Sequence, residues 1–326
     1  MQDAIALSGV TKTFGEKVAV RNLDLRVPQG AVYGFIGPNG AGKTTTIRMI
    51  MSILFPDAGD VQVLGHASAL EAKDRIGYLP EERGVYKKMR VGSFLSYVER
   101  LKTNSGGSKQ RVRRWLERVG LADTEHKKCE ELSKGMQQKI QFIAAVIHEP
   151  ELLILDEPFS GLDPVNMRLL RDLVLEEAER GATIIFSTHV MAQAEQICDH
   201  VVMINNGDKV LDDTLTSIRR QFDPRTINLE PLDPEADGAP LEALPWVERV
   251  SRKNTDFSIS LAPNTEPGAA IRDLVSTVPA AKVELRRPTL EDVFVQIVTE
   301  SGGASAEDLE QLRAGLRANG GAEVRS

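Results

Sequence analysis

The residues Gly37, Pro38, Asn39, Gly40, Ala41, Gly42, Lys43 and Thr44 follow an apolar run at 31–36 and open a segment with a polar helical start, Thr45 and Thr46. No other stretch restricts the fold so strongly. Its glycines let the backbone curl until several N–H groups point inward, and the following helix turns its positive end to the same spot. Strand and helix patterns alternate from residue 1 to about 220, which predicts an α/β fold with a mainly parallel sheet covered on both faces. Two further apolar runs match the first: residues 152–155 end in Asp156 and Glu157, and residues 183–187 end just before His189. All three carry polar residues at their carboxyl ends, where open α/β sheets collect ligands.

A triphosphate fits the glycine loop, with Lys43 pairing with the β- and γ-phosphates and the Thr44 hydroxyl helping to hold Mg²⁺. The two carboxylates have different uses. Asp156 can hold Mg²⁺ through water, whereas Glu157 can polarise an attacking water. A merely structural acid pair would not need the sequel Pro158 and Ser160-Gly-Leu-Asp163.

Composition narrows the class further. The apolar runs fall far short of the roughly 20 residues that span a bilayer, and the start, Met-Gln-Asp-Ala-Ile, has neither the charged nor the apolar region of a secretory signal. The expected location is cytoplasmic. Cys129 and Cys198 belong to no Cys-x-x-Cys pattern and read as buried thiols. A formal net charge of -7 speaks against nonspecific nucleic-acid binding.

Downstream of the glycine loop stands Leu132-Ser133-Lys134-Gly135-Met136-Gln137-Gln138, followed by a mixed apolar helix and then Leu-Leu-Ile-Leu-Asp156-Glu157-Pro158. With these motifs, residues 1–222 resemble the ATP-binding domain of ATP-binding cassette (ABC) transporters. The signature keeps the family's Leu, Ser and second Gly, with Lys134 for the first Gly and Met136 for the following Gln. The resemblance implies that Glu157 and His189 act in ATP hydrolysis, that Phe14 stacks on adenine, and that Ser133 and Gly135 meet ATP held by a second copy of the chain. It places Asp163 in the loop between paired subunits. Glu81, after Ile76-Gly-Tyr-Leu-Pro80, stands where the family usually has Gln, and it is expected to sense the metal and couple the site to the helical insert. Phe14 as a core residue and Glu81 as a solvent-facing acid are the plainer readings of the same positions.

The insert covers about 85–131. It holds a helix at 91–102 and a second helix on which Val112, Leu116 and Val119 share one face, while Arg111, Arg113, Arg114 and Arg118 read as a solvated face. Beyond the cassette, residues 223–302 read as a small α+β domain, with β-type runs at 226–229, 247–250 and 257–261. There Thr289 and Asp292 fit a helix-capping pattern. Residues 303–326 read as a tail with a short helix at 306–316.

The segments Tyr78-Leu-Pro-Glu-Glu-Arg-Gly-Val-Tyr86 and Arg287-Pro-Thr-Leu-Glu-Asp-Val-Phe294 are similar to the exporter branch that works with ABC-2 type membrane subunits, among them sodium-efflux and drug-efflux ATPase subunits. The resemblance thus implies an Mg²⁺-dependent ATPase that closes as a homodimer, drives a separate multispan membrane subunit, and sits on the inner face of the cell membrane. A soluble ABC ATPase of translation, nucleic-acid handling or cluster assembly is the alternative. The single cassette and the lack of sustained heptads count against it.

Overall fold

A computed structural model describes residues 2–82, 84–103, 108–222, 225–286 and 288–300. The helix expected at 306–316 lies outside the described residues. The described residues divide into two units, 2–215 with 294–300, and 216–293.

The first unit runs β1 (Asp3–Phe14), β2 (Lys17–Pro28), β3 (Val32–Ile36), α1 (Lys43–Ile50), β4 (Ala58–Val63) and β5 (Ile76–Leu79). It continues through α2 (Val91–Thr103), α3 (Lys109–Arg118), α4 (Lys134–Val146), β6 (Leu152–Asp156), α5 (Pro164–Glu179), β7 (Thr183–Thr188), α6 (Met191–Ile197), β8 (His200–Asn205) and β9 (Asp208–Thr214). A six-stranded sheet has the order β5-β6-β7-β3-β8-β9. Its first five strands are parallel, and β9 closes the edge antiparallel to β8. Every residue of β3, β6 and β7 is buried, as expected for strands covered on both faces.

A second, antiparallel sheet, β2-β1-β4, departs from the strand–helix alternation expected at the start of the chain. Its sequence pattern is blurred because β1 changes register against β2 between Asp3 and Ile5, Leu7 and Val10, Val10 and Lys12, and Lys12 and Thr13. Each irregularity disturbs the period of two by which a half-buried strand is recognised. One buried cluster joins Val10, Val20 and Leu25 of this sheet to Ile47 and Ile50 of α1 and to Tyr33, Ile154 and Ile185 of the parallel sheet. The helix after the glycine loop is thereby anchored in the core.

The insert forms α2 and α3, which pack with α4. The ring of Trp115 meets that of Phe142 at 6.4 Å, and Lys139 Nζ donates to the Val119 carbonyl at 3.0 Å. Three of the arginines of α3 pair with acids elsewhere in the chain: Arg111 with buried Glu99 at 2.9 Å, Arg113 with Glu125 at 3.0 Å, and Arg118 with exposed Glu176. Both cysteines are buried and free.

The second unit begins within α7 (Leu215–Gln221). It contains β10 (Thr226–Pro231), α8 (Ala239–Glu242), β11 (Val247–Lys253), β12 (Asp256–Leu261), α9 (Pro267–Thr277) and β13 (Ala280–Leu285), and ends within α10 (Leu290–Glu300). The strands form an antiparallel sheet, β11-β12-β10-β13, over a core of Ile227, Leu229, Phe257, Ile259 and Leu274. At the start of α10 the predicted cap is reciprocal: Asp292 N donates to Thr289 Oγ1 at 3.1 Å and Thr289 N to Asp292 Oδ2 at 3.2 Å. Among the described residues no helix is long and apolar enough to cross a membrane.

Candidate functional site

Strand register assembles the site. Ile36 pairs with Thr188 and Asp156 with Ser187, so β3, β6 and β7 end level with one another. Gly37, Glu157 and His189 therefore leave the sheet at one edge. The loop between β3 and α1 requires glycine at two positions in particular. Gly37, at φ 152°, would place a Cβ 2.1 Å from the Ile204 carbonyl oxygen, and Gly42, at φ 116°, would place one 2.4 Å from that of Ala19. Gly42 is the N-cap of α1 and supplies no side-chain acceptor to its first turn. The first amides of the helix are left for an anion.

A cavity of about 320 Å³ opens over this loop. It is lined by Phe14, Lys17, Ala19, Asn39, Gly40, Gly42, Lys43, Thr44, Thr45, Glu81 and Glu157. Lys43 is buried, and its ammonium donates to the carbonyls of Gly37 at 2.8 Å and Pro38 at 3.2 Å. Burial lowers its pKa, opposed by the charges of Glu157, Asp156 and Glu81. A phosphate at the loop would give that cation a stronger partner than two neutral carbonyls. Phe14 is half exposed at the cavity, 51 %, which removes its reading as a core residue. Glu81 is exposed as well, yet it borders the cavity instead of facing solvent alone.

Asp156 is fully buried at the end of β6. Its Oδ1 accepts from Ser187 Oγ at 2.5 Å and from Thr44 Oγ1 at 3.4 Å, whereas Oδ2 is buried without a partner. Burial raises the carboxyl's pKa, offset in part by these hydroxyls. A buried carboxylate oxygen left open beside a threonine hydroxyl is the donor set a hard cation takes, with phosphate and water completing its shell. These residues fit Mg²⁺.

Glu157 turns the chain at a positive φ of 49°, a conformation that costs on the order of 1 kcal/mol for a residue with a side chain. Its Oε1 accepts from the His189 backbone N–H at 2.9 Å and faces His189 Nδ1 at 2.8 Å. A carboxylate beside it assigns the proton of the neutral ring to Nδ1. The Glu157 carboxylate is thus held in place by the residue that leaves the neighbouring strand. Ser187, which reasoning from sequence passed over, serves both acids, because its hydroxyl also accepts from Glu157 N at 3.3 Å. Its position at the end of an apolar run, two residues before His189, was the available signal.

Other expected site residues stand away from the cavity. Ser133 is the exposed N-cap of α4, accepting from Met136 N at 3.3 Å, and Gly135 follows in its first turn. Asp163 caps α5, accepting from Val165 N at 3.0 Å and Asn166 N at 2.9 Å, and these contacts hold its pKa down. Pro38 and Ala41 belong to the glycine loop, where Ala41 is buried and its carbonyl accepts from Gly207 N at 2.8 Å.

Comparison with known proteins agrees with this geometry. The family model for the ABC transporter matches residues 20–160, and that for the ATP-binding protein DrrA1-3-like C-terminal domain matches residues 214–298. YhaQ of Bacillus subtilis, an uncharacterized ABC transporter ATP-binding protein, is 40% identical over 90% of this chain and 98% of its own length. The daunorubicin resistance ATP-binding protein DrrA3 of Streptomyces coeruleorubidus is 34% identical over 90% of this chain and 95% of its own. Among solved structures, an ATP-binding subunit of an ABC transporter superposes with a TM-score of 0.62 at 30% identity, covering 67% of this chain and 93% of that one. The chain therefore belongs to the ABC transporter ATP-binding proteins, as an ATPase subunit with a DrrA1-3-like C-terminal domain.

Proposed function

We propose that this subunit powers export through a separate membrane subunit by closing with a second copy of itself around Mg²⁺ and ATP. The observation that carries the chemical reading is the pairing at the end of β6: Asp156, with one oxygen open beside Thr44, and Glu157, held by His189 at the cavity wall. Asp156 and Thr44 would hold Mg²⁺, which when bound neutralises phosphate charge. The loop amides and Lys43 bind the phosphates, and Glu157 accepts a proton from the attacking water. His189 orients Glu157 through Nδ1, and only in the doubly protonated ring would Nε2 also donate, to the γ-phosphate. Phe14 offers its exposed face to the base, and Glu81 borders the same cavity.

Exposure of Ser133, with Gly135 partly exposed in the first turn, outside the cavity on the free end of α4, supports their use on ATP held by the partner copy. ATP shared between two such surfaces favours the closed pair, and its hydrolysis removes the bridging phosphate. Export is supported by relatives named for daunorubicin resistance and for bacitracin transport. The chain would then be peripheral on the inner face of the membrane, with residues 223–302 as a separate domain that supports or regulates the dimer. Glu157→Gln tests the assignment. Its amide oxygen can still accept from His189 but is a far weaker base, so turnover should fall by about 10²–10⁴-fold while ATP is retained and dimers accumulate. Turnover at the wild-type rate would refute the role of Glu157.

A further inference from the structure

Two glutamines on α4 reach the backbone that carries the site's carboxylates. Gln138, 3% exposed, donates Nε2 to the Pro158 carbonyl at 2.9 Å, next to Glu157 in the chain. Gln141, 5% exposed and about one turn on, donates Nε2 to the carbonyls of Pro80 at 3.3 Å and Glu82 at 3.1 Å. Those two carbonyls bracket Glu81. Neither amide touches a carboxylate, and each instead grips the main chain on which one is mounted. Both Glu81 and Glu157 line the cavity over the glycine loop. The far end of the same helix is capped by exposed Ser133.

The chemistry at position 141 argues against simple packing. Its Oε1 is buried with no hydrogen-bond partner, so only the donor end of the amide is used. Leaving a buried acceptor unmatched is a cost to folding that a methionine of similar length would not carry. What the amide provides is a forked grip on two carbonyls separated from it by about sixty residues of chain. On a rigid helix, that grip converts any displacement of the Ser133 end into a displacement of the Glu81 loop.

We propose that Gln141 is a positioning residue for Glu81, as Gln138 is for Glu157, so that α4 sets both cavity carboxylates together. The inference rests on the role of Glu157 in hydrolysis proposed above and on Glu81 as the metal-sensing residue that the family resemblance implies. The test is Gln141→Met in the full chain, read by hydrogen exchange and by ATPase kinetics. Exchange at Glu81 and Glu82 should rise about tenfold while β6 is unchanged. The kcat should fall about tenfold with KM for ATP within twofold, because Gln141 does not line the nucleotide cavity. In a Glu81→Ala background the same substitution should change kcat by less than about twofold, the non-additivity expected of residues acting through one another.

Unchanged exchange at Glu81 and Glu82, a rise spread equally through β6, or an equal fold-loss in both backgrounds would overturn the proposal. A wild-type kcat for Glu81→Ala alone, with the loop still freed by Gln141→Met, would remove Glu81 from the reaction and leave the tether standing. The two failures are thereby read separately. Gln138→Met provides the parallel check, with its loss of kcat absorbed in a Glu157→Gln background.

Discussion

Ser187→Ala removes the hydroxyl that serves both acids of the site, and its cost is set by the charge on Asp156. Ser187 and Asp156 are fully buried and bonded at 2.5 Å. Losing a hydrogen bond to a buried charged group costs about 2 kcal/mol, and losing one to a neutral carboxyl about 1 kcal/mol. Burial first of all holds the Asp156 carboxyl above its ordinary value, and the Ser187 hydroxyl is the chief influence pulling it back. Because the folded pKa lies above the unfolded one, ionising Asp156 works against folding. Stability from this group is complete below about 3.8 and is lost as pH rises through the folded value. The substitution raises that value further, so its destabilisation should grow with pH. Urea unfolding of both proteins without Mg²⁺ should show a difference of about 1 kcal/mol in acid, where Asp156 is protonated, that rises toward about 2 kcal/mol at the higher pH where it ionises. The Mg²⁺ concentration for half-maximal ATPase activity should rise several-fold. A stability difference that stays constant across the whole pH profile would refute the account of Asp156 as a buried carboxylate held by this hydroxyl.

Three further outcomes follow from the geometry. The His148 ring is pushed down to about 4, chiefly by burial and also by Lys102, so the fold favours its neutral form. Its contribution is complete above pH 6.5 and lost as pH falls toward 4, a span worth about 3 kcal/mol, and His148→Leu should flatten that part of a denaturation profile. Gly42→Ala combines a positive φ with a Cβ 2.4 Å from a backbone carbonyl oxygen, so it should cost about 2 kcal/mol or more in urea and abolish nucleotide binding in a fluorescence titration. Phe14→Ala should leave stability within about 0.5 kcal/mol, since the ring is half exposed, while weakening ATP binding about tenfold. A large loss of stability without loss of affinity would return Phe14 to a packing role.

Some of the architecture was legible without coordinates because it is written in neighbouring residues. The glycine loop between a buried strand and a helix, the Asp156–Glu157 pair at a strand end, the Thr289–Asp292 cap and the insert helices all depend on spacings of a few residues. The β2-β1-β4 sheet was not legible, since register changes against β2 disturb the period of two that would mark β1. Nor were Ser187, Gln138 and Gln141, whose partners lie 20 to 61 residues away. A buried glutamine looks like any polar residue until its neighbours are known.

Local sequence by itself determined that a phosphate-binding turn would form, because glycine conformation and helix polarity act over a few bonds. It also determined which acids stand at strand ends. Only the tertiary structure decided which groups share a cavity: strand register brought Ser187 to Asp156 and His189 to Glu157. It likewise put Phe14 and Glu81 at the cavity wall, and left Ser133 exposed outside it. Hydrogen bonds are directional and reach about 3 Å, so they are chosen by the packing of distant segments and not by proximity along the chain.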